Sequence, residues 1–161
     1  RDSGNPRTGQ LLINANQLGG VNVGDQIAGI TWRMYTGSTA AFPATDATWA
    51  DYTITIGQGV AFGSQTTTFA SNFLGAPFTA RSGPLTIPAG SFPVTSTPRP
   101  FGVPVMFTTP YTYMGGNLLI EIRHSGSNIV NVTTDFLEVA LTTDAGYNVN
   151  FWSATATGAA A

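Results

Sequence analysis

Apolar and polar residues alternate over short stretches of this chain, and the alternation is cleanest from Asn117 to Arg123. Leu118, Ile120 and Ile122 fall on one side there, and Leu119, Glu121 and Arg123 on the other, the period of two that marks a strand. Asp51 to Gly57 repeats the pattern, with Tyr52, Ile54 and Ile56 opposite Thr53 and Thr55. Gln26 to Tyr35 predicts a strand whose buried face is Ala28, Ile30, Trp32 and Met34, opposite Ile27, Thr31, Arg33 and Tyr35. Pro104 to Tyr113 mixes β-branched and aromatic residues with Pro104 and Pro110, the composition of an edge or irregular strand. Gly115-Gly116 follows it, two residues free to take positive φ, so the local pattern predicts a hairpin from Pro104 to Arg123.

Further strands are expected at Gln10–Ala15, at Phe78–Ile87 with a break at Gly83-Pro84, and at Asn128–Thr134, Asp135–Leu141 and Tyr147–Ala154. Thr66 to Leu74 reads either as a strand or as one short helical turn around Ala70 to Phe73. Asn16–Asp25, Thr36–Ala50 and the proline-rich Pro88–Pro100 are loops. Roughly eight to ten short strands, dense turn signals and no amphipathic helix predict an all-β fold, a single-domain antiparallel β-sandwich or jelly roll. Its expected parts are an N-terminal arm over 1–9, the β-sandwich domain over 10–154 and a small-residue tail over 155–161.

Composition narrows the function classes. The 161 residues suit one domain with a real core. Charged residues make up only 9% of them, against a usual ~25%. All six basic residues are arginines, and the net charge is -2. No electrostatic footprint for nucleic acid or an anionic membrane results, and no apolar run is long enough for a membrane span. The polar surface is made of Thr, Ser, Asn and Gly, which repels a second copy weakly. Without cysteine there are no disulfides or thiolate metal ligands. The polar opening Arg1-Asp2-Ser3-Gly4 reads as a mature N-terminus left after export. Asn131-Val132-Thr133 forms one glycosylation sequon.

Catalytic signals are weak. The one histidine, His124, follows a strand and precedes Ser125-Gly126-Ser127, the setting of a solvated or capping side chain. No serine lies in a G-x-S-x-G elbow. Glu121 and Arg123 share a strand face and are expected to pair, and Glu138 would meet Glu121 or Arg33 across a sheet. Asp46 and Asp51 lack a calcium-loop pattern. The reading assigns no catalytic residue, no metal and no cofactor. Aromatic residues offer the alternative of stacking on sugar: Trp49, Tyr111 and Tyr113 are the candidates, with Tyr52 and Trp152 behind them, while Trp32 belongs to the core.

Across Gln10 to Gly126 the chain resembles secreted bacterial proteins of the type that carries a PEP-CTERM sorting signal. The resemblance lies in QLLINANQLGG, IAGITWRM, WADYTITIGQ, TFASNF, RSGPLTIPAGSFP and, above all, FTTPYTYMGGNLLIEIRHSG. It implies an exported β-rich domain associated with the envelope or exopolysaccharide matrix, at the cell surface or outside the cell, and it supplies no catalytic residues. The sorting tail of that type is missing after Gly158-Ala159-Ala160-Ala161.

Two functions follow as expectations. The first is a non-catalytic extracellular structural subunit that associates with copies of itself in a matrix, coat or filament. Its assembly arm, Arg1 to Ala15 with Gln10, Leu11, Leu12 and Ile13, or the tail from Tyr147, would add a strand to a neighbour's open sheet edge. The second is a glycan-binding module that takes a polysaccharide on Trp49, Tyr111 or Tyr113.

Overall fold

The strand with the cleanest alternation lies at the centre of the molecule. The computed structural model describes residues 4–129 and 145–157. The strand expected at Asp135–Leu141, most of the one at Asn128–Thr134, Glu138 and the Asn131 sequon lie outside them. Nine strands run through the described residues: β1 (Arg7–Ile13), β2 (Gln26–Ile30), β3 (Ala47–Trp49), β4 (Tyr52–Gln58), β5 (Phe78–Arg81), β6 (Leu85–Ile87), β7 (Val105–Thr112), β8 (Leu118–His124) and β9 (Phe151–Thr157). Two 3-10 turns, Ala15–Gln17 and Phe69–Asn72, complete them. The second turn is where a short helical turn was one of two expected alternatives.

The all-β antiparallel expectation holds. β5-β4-β8-β1-β9 form one sheet, and β2-β7 and β3-β6 form two small ones, every strand pair antiparallel. This order does not trace a jelly roll among the described residues. The core lies between the large sheet and the small ones. Tyr52, Ile54, Ile56, Leu118 and Ile120 enter it from the large sheet, and Trp49, Ile87, Val105, Phe107, Tyr111 and Tyr113 from the small ones. Burying such side chains is worth about 1.5–3 kcal/mol each before chain entropy is subtracted.

The other face of the large sheet is covered at one end. Leu12 and Leu119 are fully buried and stand opposite each other in the β1–β8 register. The segment around Gly59 and the Phe69–Asn72 turn lies over them: a Cβ on Gly59 would stand 2.3 Å from Leu12 Cδ1 and 3.1 Å from Leu119 Cβ.

The expected Pro104–Arg123 hairpin is not formed. β7 pairs with β2, whereas β8 pairs with β1 and β4. Gly115 and Gly116 do take positive φ, 87° and 74°, but their turn carries the chain from one sheet to another. Both backbone edges of β8 are instead taken up along their whole length by β1 and β4. The register of β7 slips so that Ala28 alone opposes Phe107 to Pro110, and Pro110 has no N–H to give a ladder. The Gly83-Pro84 break separates β5 from β6 in the same way, placing them in different sheets.

Several boundaries differ from expectation, and β3 forms inside the Thr36–Ala50 segment read as a loop. β1 starts at Arg7, inside the segment read as an arm, and β9 continues to Thr157, inside the segment read as a tail. β2 stops at Ile30, with Met34 fully buried but Ala28 exposed.

Candidate functional site

The three aromatics expected to hold sugar are all interior. Trp49, Tyr111 and Tyr113 are 7%, 8% and 4% exposed. Trp49 packs edge-on against Tyr52, and its Nε1 has no hydrogen-bond acceptor among the described residues. Tyr111 tilts against Phe78 with ring centroids 5.9 Å apart; burial, then the neighbouring Tyr113, raise its pKa above the ordinary tyrosine value. The Tyr113 hydroxyl donates to Gly116 O at 2.5 Å, bracing the glycine turn. None of the three offers a ring face to a ligand. Trp152, half-buried, lies opposite Leu12 in the β1–β9 register.

Gln10 to Ile13 are interior as well. β1 pairs with β8 on one side and β9 on the other through its whole length, so these residues have no unpaired ladder edge to add to a neighbour's sheet. Gln10 anchors a closed polar network instead. Its Nε2 donates to Glu121 Oε2 at 2.8 Å and to Phe69 O at 2.9 Å, and its Oε1 accepts from Asn72 Nδ2 at 2.9 Å. Arg123 completes the Glu121 carboxylate at 3.3 Å, the expected same-face pair. Asn72 also bonds both backbone groups of Thr66. The network ties the Thr66–Asn72 segment to the sheet. A glutamine between apolar residues in QLLI was its only sequence signal.

His124 is buried rather than solvated, and it does cap a turn. Its Nδ1 accepts the Gly126 N–H at 3.2 Å, which in a neutral ring leaves the proton on Nε2. The ring stacks on Tyr52 at 5.9 Å and meets the Trp49 edge at 6.3 Å. Burial, then the Arg7 charge, lower its pKa, with Asp51 partly opposing them. The Ser125 hydroxyl bonds to Asp51 Oδ1, whereas a serine–histidine relay needs the hydroxyl on the imidazole. Asp46 is engaged in the same manner, its Oδ1 accepting Ala89 N–H at 2.8 Å.

The unabsorbed surface lies elsewhere. Along the chain that runs beside β2, Phe101 is 63% exposed, Val103 38% and Met106 56%. Met106 stands opposite Gly29, where a Cβ would meet the β7 backbone first, Val105 O at 2.8 Å and Met106 Cα at 3.2 Å, so the missing side chain lets the two strands approach closely. Phe101 bridges to Arg33, whose guanidinium carbon lies 5.6 Å from its ring centroid, a cation–π contact. Tyr35, two residues beyond Arg33, is 44% exposed. Thr108, Thr109 and Thr112 continue the exposed side of β7. This is an apolar surface with one cation and hydroxyls around it. Its residue types carried no signal, because Phe101 and Val103 lie outside any regular strand.

No family model, curated protein or solved structure matches this chain. The functional reading therefore rests on its own residues.

Proposed function

We propose that the protein is a non-catalytic structural subunit that associates with copies of itself outside the cell, in a matrix, coat or filament. The observation that carries this reading is the exposed Phe101, Val103 and Met106 beside Arg33, on a molecule whose net charge is only -2. Exposed apolar side chains gain by burial against a partner, and weak net repulsion lets two equal surfaces approach. The polar side chains that the sequence offers for chemistry hold turns and loops in place: Gln10, Glu121 and Asn72 secure one segment, and Asp51, Ser125 and His124 a turn. The placement outside the cell rests on the resemblance to exported β-rich proteins.

Sedimentation velocity over a wide concentration range tests the proposal. The unmodified chain forms assemblies, and the double variant Phe101→Asp, Met106→Asp weakens association by roughly tenfold or more, as loss of central apolar contacts does. An unmodified chain that stays monomeric throughout overturns the reading.

Glycan binding is the second reading. With Trp49, Tyr111 and Tyr113 buried, it depends on the exposed aromatic rings Phe101, beside Arg33, and Tyr35. A polysaccharide pull-down that retains the chain and loses it on Phe101→Ala favours this reading.

A further inference from the structure

β1 precedes every other described strand, yet in the sheet it is internal, and it is the strand that joins β9 to β8. We propose that β1 is exchanged between copies, the Arg7–Ile13 strand of one chain filling the position between β8 and β9 of the next. The inference rests on the self-associating reading above and names the joint: a whole strand traded into a neighbour's interior, rather than an extra strand laid on its edge.

Three observations carry it. The first is that everything holding β1 is intrinsic to the strand and its slot. Both ladders, the fully buried Leu12 and Thr8, and the Gln10 network are restored when an identical strand from another copy enters. Exchange of an identical element changes only the connecting loop and the association entropy, which makes it a low-cost route to assembly.

The second is the connection to β2, residues 14–25. Asn14, Ala15 and Asn16 bond to Val149, Asn150 and Asn117 at the end of the slot and would travel with β1. Gly24 and Asp25 bond to Tyr113 and would stay with β2, and the stretch between them is held only by local bonds. The connection contains one 3-10 turn, Ala15–Gln17, that buries no residue, together with Gly19, Gly20 and Gly24. Leu18 and Val21 pack only partly against the core. Fully extended, these residues reach about 40 Å, far enough to deliver β1 to a neighbouring molecule.

The third observation selects the occupant. Gln10 is 3% exposed and answers Glu121, Phe69 and Asn72 together. An apolar side chain at that register would leave the Glu121 carboxylate and the Asn72 amide buried without this partner, a heavy penalty. The slot therefore discriminates for a strand with an amide at this position, as a second copy of this chain supplies.

The chain has no cysteine, so engineered thiols are the only ones present. Leu11 and Ser153 are partners in the β1–β9 register, and partners across an antiparallel pair lie within disulfide reach. Leu11→Cys and an isotope-labelled Ser153→Cys chain are unfolded, mixed, refolded and allowed to assemble before oxidation. Exchange predicts a disulfide linking one chain of each kind, found by mass in the assembled fraction. Assemblies that lack this linkage, when the double variant Leu11→Cys, Ser153→Cys closes within one chain, overturn exchange and leave self-association standing. A chain that never assembles overturns both. Should the double variant form no disulfide at all, removal of residues 19–23 decides: a shortened connection that hinders return of β1 to its own sheet shifts monomers to assemblies under exchange, and an unchanged distribution overturns it.

Discussion

Gln10 and Glu121 face each other across β1 and β8, with Nε2 of the amide 2.8 Å from Oε2 of the acid. Glu121 is 9% exposed, so its carboxyl oxygens depend on hydrogen-bond donors that the fold provides. Gln10→Leu keeps the volume and removes the donor to the acid, the donor to Phe69 O and the acceptor for Asn72. Leaving buried polar groups unsatisfied costs about 1–3 kcal/mol each, so the expected loss is at least about 2 kcal/mol, read from the midpoint of urea denaturation. Gln10→Leu with Glu121→Leu should recover part of it, because the double change removes the buried acid along with its partner.

Arg99 fastens the proline-rich loop. Its Nη1 donates to Val94 O at 2.6 Å and Ser96 O at 3.1 Å, and its Nη2 to Thr36 O at 2.9 Å and Ser38 O at 2.8 Å. A guanidinium reaches four carbonyls because its donors are fixed in a plane, and an ammonium does not reproduce that geometry. Arg99→Lys should cost about 1–2 kcal/mol. Limited proteolysis should then cut between residues 94 and 98 well before it cuts the unmodified chain.

His124 gives the molecule a pH response of known sign. Its folded pKa lies below the ordinary 6.5 because of burial and the Arg7 charge. The unfolded chain therefore binds a proton that the folded one resists, and the imidazole's contribution is fully present above the unfolded value. It is lost as pH falls from there through the folded value. Urea midpoints measured between about pH 5 and 7.5 should fall toward the acid end. His124→Phe, which keeps the stacking on Tyr52, should flatten that part of the profile.

Gly59 is closed to any side chain. A Cβ there meets Leu12 Cδ1 at 2.3 Å and Leu119 Cβ at 3.1 Å, and both leucines are fully buried. Leu12 can turn its methyl aside, but the Leu119 Cβ moves only with the backbone of β8. Gly59→Ala should destabilise by about 1–3 kcal/mol, the usual cost of overpacking, seen as a lower thermal midpoint.

The strands of the large sheet were legible because β4 and β8 keep strict alternation, so Tyr52, Ile54 and Ile56 and Leu118 and Ile120 lie where period two puts them. Pairing was not legible. Gly115-Gly116 carries the same local signal whether the next strand folds back or crosses to another sheet, and distant partners, the full-length ladders that β1 and β4 offer β8 above all, decide between them. The aromatic candidates failed for a related reason. Residue type says nothing about side, although Val105, Phe107, Tyr111 and Tyr113 share one parity, and that regularity pointed inward. Trp49 shares its inward parity with Ala47 in β3. The same alternation sends Met106, between Val105 and Phe107, outward, whereas Phe101 lies outside any strand and carried no such signal.

The sheet order also sets a timetable. β1 is made well before its partners: the strand it pairs with on one side begins at Leu118 and the strand on the other at Phe151. During synthesis β1 therefore waits, unpaired, until the residues up to β8 and β9 have followed it. Pairing across such separations is slow, and a strand that waits is open to the first suitable slot it meets. On a crowded route that slot can belong to a molecule finished earlier, so the rate at which copies are produced becomes a factor in how they end up joined.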